Sequence, residues 1–305
     1  VLEPAVRTLR RDLEEKSSEL WNVVKTGRTH LQDATPIRMG QAFRGYAGQM
    51  ERAETRLAHA REELSWVALG GTAVGTGMNT HRGFAGRVCA IVSQEAGVPI
   101  RETENHFQAQ ATVDAAVEAS GSIRTVAVSL IKIANDIRLS SSGPRCGLGE
   151  LELPAVQPGS SIMPGKVNPV IAESLIQACC YVVAHDLAIV QSGQWGFFEL
   201  NTMLPLVGHN LLQSIEVLGA AARNFSEGCV RGITAAPHGP ELVERGLALA
   251  TALVPLVGYD AAVEVAKEAA ESRKTVREVA RERTGLTEEQ LAEALDPSKM
   301  TRPSE

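Results

Sequence analysis

Aromatic residues are scarce in this chain of 305 residues: Trp 3, Tyr 3 and Phe 6, together 4%. Sandwiches and barrels lean on aromatic and β-branched residues, so the shortage turns the reading away from them. Alanine, leucine and valine supply the apolar mass, which favours helices. Cysteines number 5 and form no C-x-x-C pair. An odd count in so long a chain argues against a disulfide framework, and a reducing, cytoplasmic compartment is expected. No apolar run approaches the ~18 residues of a membrane span, so no membrane partner is expected. The start, Val-Leu-Glu-Pro, has neither a basic nor an apolar leader segment. No signal peptide is expected, and the opening reads as a helix entered midway, with residues upstream. Basic residues are not in excess: Lys plus Arg total 30 against 36 for Asp plus Glu, a net charge of −6. With no basic stripe, nucleic acid is not an expected partner.

Helical periodicity fills most of the chain. Leu2, Val6, Leu9, Leu13, Leu20 and Val24 step by three, four or seven, as one helix face requires. The stretch 27–40, with Pro36 and many polar residues, reads as a loop. Phe43, Met50, Leu57, Leu64 and Val67 resume a helical face, and further helices are expected over 83–96, 112–139 and 204–225. Residues 170–190 are apolar all round, which suits a helix buried at the centre of a bundle or an oligomer. Between 140 and 169 lies a long irregular stretch rich in Gly, Pro and Ser, and loops of that length are usually functional. Beyond 232 the elements shorten, and Thr275-x-x-Glu278 and Thr287-x-x-Gln290 have the form of capping boxes. With no period-two strand pattern, the expected fold class is all-α. It comprises a long-helix bundle over 1–232 and a small helical C-terminal domain over 233–305.

Several common motifs fail. GSSIMPGK has Ser160 and Val167 where a Walker loop needs Gly and Ser or Thr. The seven histidines lack metal-ligand spacing, so no metal is expected. No G-x-S-x-G is present. The stretch 158–169, PGSSIMPGKVNP, is more specific. Its prolines and glycines fix bends, and within nine residues it holds Ser160, Ser161, Lys166 and Asn168. One ammonium, an amide and two hydroxyls suit a carboxylate ligand. The same set also fits a solvated loop that caps the following helix. Thr29 and His30 lie in a second polar segment, GRTHLQDATP, where a lone histidine is most often a surface residue. Glu173 falls in the first turn of the apolar helix, a favourable place for any acid.

At these residues the chain resembles the fumarase/aspartase superfamily. GSSIMPGKVNP (159–169) is similar to its signature loop, in the form found in the class II fumarase and aspartase branch. GRTHLQDATP (27–36), GGTAVGTG (70–77), KIANDIR (132–138), SGPRCGLGE (142–150), FELN (198–201) and GYDAA (258–262) follow in family order, so the resemblance spans essentially the whole chain. It implies a long-helix bundle assembled as a homotetramer. It also implies reversible anti addition of water or ammonia across fumarate, through a carbanion with an aci-carboxylate, without metal or organic cofactor. By position, Ser160 matches the base that takes the carbon-bound proton. His30 matches the histidine on the hydroxyl side, and Glu173 the carboxylate paired with it. Thr29, Ser161, Lys166 and Asn168 match ligands of the dicarboxylate substrate. The resemblance further implies active sites shared between subunits.

Gly71, His106-Phe107-Gln108 and Phe197-Phe198-Glu199 resemble the fumarases, which hydrate fumarate to L-malate. Pro36-Ile37-Arg38 and the stretch 296–301 also occur in aspartate ammonia-lyases, the alternative reading. Family chains begin with a further domain whose Gly-Ser-rich and S-S-N segments bind substrate carboxylates, and neither is found here. A catalytically incomplete oligomeric scaffold is therefore the third expectation.

Overall fold

The computed structural model describes residues 1–303. The helices run α1 Leu2–Glu19, α2 Met39–Glu63, α3 Phe84–Ala96, α4 His106–Ala111, α5 Asp114–Ser140, α6 Val170–Gly193 and α7 Leu204–Gly228. Shorter ones follow: α8 His238–Arg245, α9 Val254–Val257, α10 Tyr259–Ser272, α11 Val276–Arg283 and α12 Glu288–Ala294. The strands are few. β1 Val24–Thr29 and β2 Gln32–Arg38 form an antiparallel hairpin, and β3 to β8 are two-residue pieces at 66–67, 101–102, 151–152, 196–197, 200–201 and 234–235. The all-α class holds, with strands confined to connections.

The chain divides into two compact units. The first comprises residues 1–10, 48–134 and 170–226. Its interior is built from helix faces spaced by three and four residues: Val6 and Leu9; Met50, Ala53, Leu57 and Ala60; Ile123, Val126, Ala127, Leu130 and Ile133. From α6 and α7 come Leu175, Cys179, Val182 and Ile189, and Leu211, Leu218, Ala222 and Phe225. Gly219 on α7 lets the start of α1 come close, because a Cβ there would lie 2.9 Å from Val1 Cγ1. Asp186 is buried on α6, where it accepts from Ser120 Oγ at 2.7 Å and pairs with Arg124 at 2.6 Å.

α6 departs from expectation in two ways. Ala172, Leu175, Cys179, Val182, Asp186, Ile189 and Ser192 are buried, but Tyr181 (44%) and Leu187 (61%) on its other side are exposed. One chain therefore covers only one face. By length and composition alone, α6 is also apolar enough to cross a membrane. Its inner face packs within the first unit, where Asp186 pairs with Ser120 and Arg124.

The second unit comprises residues 11–47, 135–169 and 227–305. Leu13, Leu20, Met39, Phe43, Ile137, Leu151, Val230 and Ile233 are buried there. A hydrophobic cluster from Val243 to Leu295 joins α8, α10, α11 and α12. Lys16 is buried and donates from Nζ to the carbonyls of Arg231 (3.1 Å) and Ile233 (2.9 Å). Both capping boxes are present: the Thr275 and Thr287 side chains accept from the N3 backbone, and Glu278 and Gln290 accept in return. All five cysteines are free thiols.

The segment expected to be a loop over 27–40 is mostly hairpin, and α1 ends at Glu19, short of Val24. Polar β1 and β2 carry no alternation that a hydrophobic pattern could reveal. Their pairing comes from backbone hydrogen bonds and a turn, with Thr35 unpaired where the register shifts opposite Thr26 and Gly27. That bulge sits beside Pro36, which has no N–H for the ladder.

Candidate active site

The loop 158–169 folds back on itself in the second unit. Gly159 N donates to Lys166 O at 2.9 Å, and Asn168 Nδ2 donates to Gly159 O at 2.7 Å. Gly159 is required at this pinch, because a Cβ would fall 2.1 Å from Lys166 O. The closure turns the Ser160 hydroxyl toward two backbone donors. Ser160 Oγ accepts from Ile162 N at 3.2 Å and Met163 N at 3.1 Å. A cavity of about 470 Å³ opens here, lined by Pro158, Ser160, Met163 and Lys166 with their neighbours. Ser161 and Lys166 are exposed, while Ser160 and Asn168 are half-buried. Two N–H groups aimed at a hydroxyl oxygen favour its deprotonated form. The loop thus gathers a hydroxyl held by two backbone amides, a side-chain amide and an ammonium around one cavity.

Thr29 and His30 stand at the tip of the β1–β2 hairpin, in the same unit. Thr29 pairs with Gln32, leaving His30 and Leu31 as a two-residue turn with φ of 56° and 60°. Positive φ at both positions is what primed hairpin turns demand, and glycine or asparagine is the usual answer. Here neither is used. Among the described residues, the side chains of Thr29, His30 and Lys166 have no hydrogen-bond or ion-pair partner. Glu173 lies half-buried in the first turn of α6, in the other unit. The fold therefore brings Ser160, Ser161, Lys166 and Asn168 onto one loop and Thr29 and His30 onto one turn.

The sequence reading assigned nothing to Lys25, Arg28 and Glu150. Arg28 NH1 donates to Glu150 Oε1 at 2.7 Å, and Lys25 Nζ lies 3.2 Å from Glu150 Oε2. The Glu150 side chain is 0% exposed. Burial lowers the Lys25 pKa, against the opposing pull of Glu150. The signal was Arg28 immediately ahead of Thr29 and an acid directly after Gly-Leu-Gly, which gain meaning only when the fold joins them across 122 residues. Among the described residues, no cluster of three His, Cys, Asp or Glu side chains is arranged to hold a metal.

The family profile described as "Lyase" matches residues 1–184, and "Fumarase C C-terminus" matches 249–302. The class II fumarate hydratase of Nitrosomonas europaea is 48% identical over 299 residues, covering 98% of this chain and 65% of that protein. The mitochondrial fumarate hydratase of Saccharomyces cerevisiae is 48% identical over 301 residues, covering 98% and 62%. The crystal structure of recombinant class II fumarase from Schistosoma mansoni superposes with a TM-score of 0.93 at 36% identity, covering 99% of this chain and 67% of that one. The chain thus spans about 65% of the length of the first of these relatives. With its signature loop closed around Ser160 and these matches along nearly its whole length, the chain belongs to the fumarase/aspartase superfamily of lyases.

Proposed function

We propose that this chain serves the reversible hydration of fumarate to L-malate, as in a class II fumarate hydratase. The observation that carries the reading is the Ser160 hydroxyl accepting two backbone N–H groups. A free serine is far too weak a base for a carbon-bound proton, and donors fixed on its oxygen are what an alkoxide needs. In this reading Ser160 removes the proton next to a carboxylate. The charge develops as an aci-carboxylate held by Lys166, Asn168, Ser161 and Thr29. His30 handles the departing hydroxyl, with Glu173 as the carboxylate that pairs with it. No metal or organic cofactor takes part.

The same reading takes the protein to be a cytoplasmic homotetramer with active sites shared between subunits. The exposed Leu187 on α6 and the exposed Trp195, Phe197 and Phe198 after it support an apolar partner surface. It also treats 233–305 as a small C-terminal domain, which the hydrophobic cluster from Val243 to Leu295 supports.

The test is a proton NMR time course with fumarate and ammonium present together. Malate is the expected product. Aspartate would make the protein an ammonia-lyase, and untouched fumarate would overturn the reading in favour of a scaffold.

A further inference from the structure

We propose that Glu150 is a positioning residue: the fixed, buried carboxylate that holds the Thr29–His30 turn in place through Arg28 and Lys25. The proposal rests on the reading of His30 as the group on the hydroxyl side. Three observations lead to it.

First, the turn does not hold itself. Residues 29–33 are exposed, and His30 and Leu31 both adopt left-handed backbone. Such conformations are strained in non-glycine residues and persist only when the surroundings impose them. Second, apolar packing fastens only the base of the hairpin. Pro36 is buried and Val24 packs against the C-terminal cluster, but the outer half is Gly27, Arg28, Thr29 and the polar start of β2. The last buried attachment before the turn is the Arg28 guanidinium. Third, the acid it meets is fixed in both backbone and side chain. Glu150 N donates to Ser140 O at 2.8 Å, and Glu150 O accepts from Ala236 N at 3.0 Å. Each carboxylate oxygen faces one cation, Arg28 on Oε1 and Lys25 on Oε2. Lys25 Nζ also donates to Thr26 O at 2.8 Å, which ties the β1 backbone to the same point. The Arg28–Glu150 bond is charge-assisted and directional, so it sets where the next residue, Thr29, must stand, as apolar contact would not; Lys25 adds an ion pair at Oε2 without a hydrogen bond.

Glu150→Gln would leave two cations facing no anion in a buried place, and such a change can prevent folding. Arg28→Met avoids that, because the Lys25–Glu150 pair remains. Hydrogen–deuterium exchange on the full chain is the first readout, with amides of residues 262–280 as internal reference. In Arg28→Met, amides at 28–33 are expected to exchange roughly tenfold faster while the reference is unchanged. Unchanged exchange at 28–33 overturns the proposal. The second readout is the kinetics of fumarate hydration. Arg28→Met should lower kcat roughly tenfold or more, with little change in KM, and Arg28→Lys should restore part of it. A loosened turn with intact kcat also overturns the positioning role. His30→Asn separates the two ideas. If it leaves kcat unchanged, the reading of His30 has failed, and the exchange result still decides whether Glu150 anchors the turn.

Discussion

Ser160 is the residue on which the functional reading turns. Its hydroxyl is held by Ile162 and Met163 amides in a loop that is itself pinched shut at Gly159. Ser160→Ala removes one oxygen and leaves the Gly159–Lys166 and Asn168–Gly159 bonds in place. The two amides it frees lie on exposed Ile162 and Met163, where water can replace the hydroxyl. We therefore expect a melting midpoint close to wild type and a kcat lowered by about 10²–10⁴, the usual worth of a positioned general base. Steady-state kinetics beside thermal melting checks this, and near-normal kcat would remove Ser160 from the chemistry. The residues of this loop could be singled out in the sequence because their types and spacing suit a carboxylate ligand, as they also suit a solvated capping loop. The donors on Ser160 could not, since backbone amides belong to every residue and only the fold aims them. Glu150 was hidden for a related reason: one acid among many becomes an anchor only when Arg28 and Lys25 fold onto it.

The helices were the most legible elements. Periodic apolar faces located α2, α3, α5, α6 and α7 to within a few residues, and a threonine three residues before Glu or Gln located two caps. The β1–β2 hairpin was missed because its residues are polar and its turn uses His30 and Leu31 in place of the asparagine and glycine that usually mark one. Caps of this kind make local predictions possible. Thr275 accepts from the Glu278 amide, and Glu278 accepts from both the backbone and the hydroxyl of Thr275. Thr275→Ala should cost about 1 kcal/mol in chemical denaturation and speed amide exchange at the start of α11. The bonds from Thr275 hold the Glu278 carboxyl below its ordinary pKa. A depressed acid adds stability above its unfolded pKa and loses it as pH falls through the folded value. The Thr275→Ala penalty should therefore shrink on acidification below the usual glutamate range. A penalty independent of pH would show that the bond from the Thr275 hydroxyl to the Glu278 carboxylate contributes nothing, since the bond from the residue 275 amide survives in the variant.

α6 is the element on which the proposed assembly turns. Its sequence is apolar all round, yet this chain buries only the face that runs from Ala172 to Ser192. Leu187 is 61% exposed on the other side, and Phe198, shortly beyond the helix, is 91% exposed. A soluble monomer seldom leaves such groups together in water, because apolar area gains roughly 25 cal/mol per Å² when covered. A second copy presenting the same helix would cover them symmetrically. Leu187→Arg places a charge on that face without touching the buried positions of α6 or the Asp186 bonds to Ser120 and Arg124. The helix should therefore still form, and far-ultraviolet circular dichroism should match wild type. Size-exclusion chromatography with light scattering should find wild type as the larger, tetrameric species and Leu187→Arg as a smaller one. Because the proposed sites are shared between subunits, turnover should fall in step with the loss of the larger species. A wild-type chain that elutes as a clean monomer, or a Leu187→Arg variant that assembles normally, would mean that the exposed face of α6 serves something other than assembly.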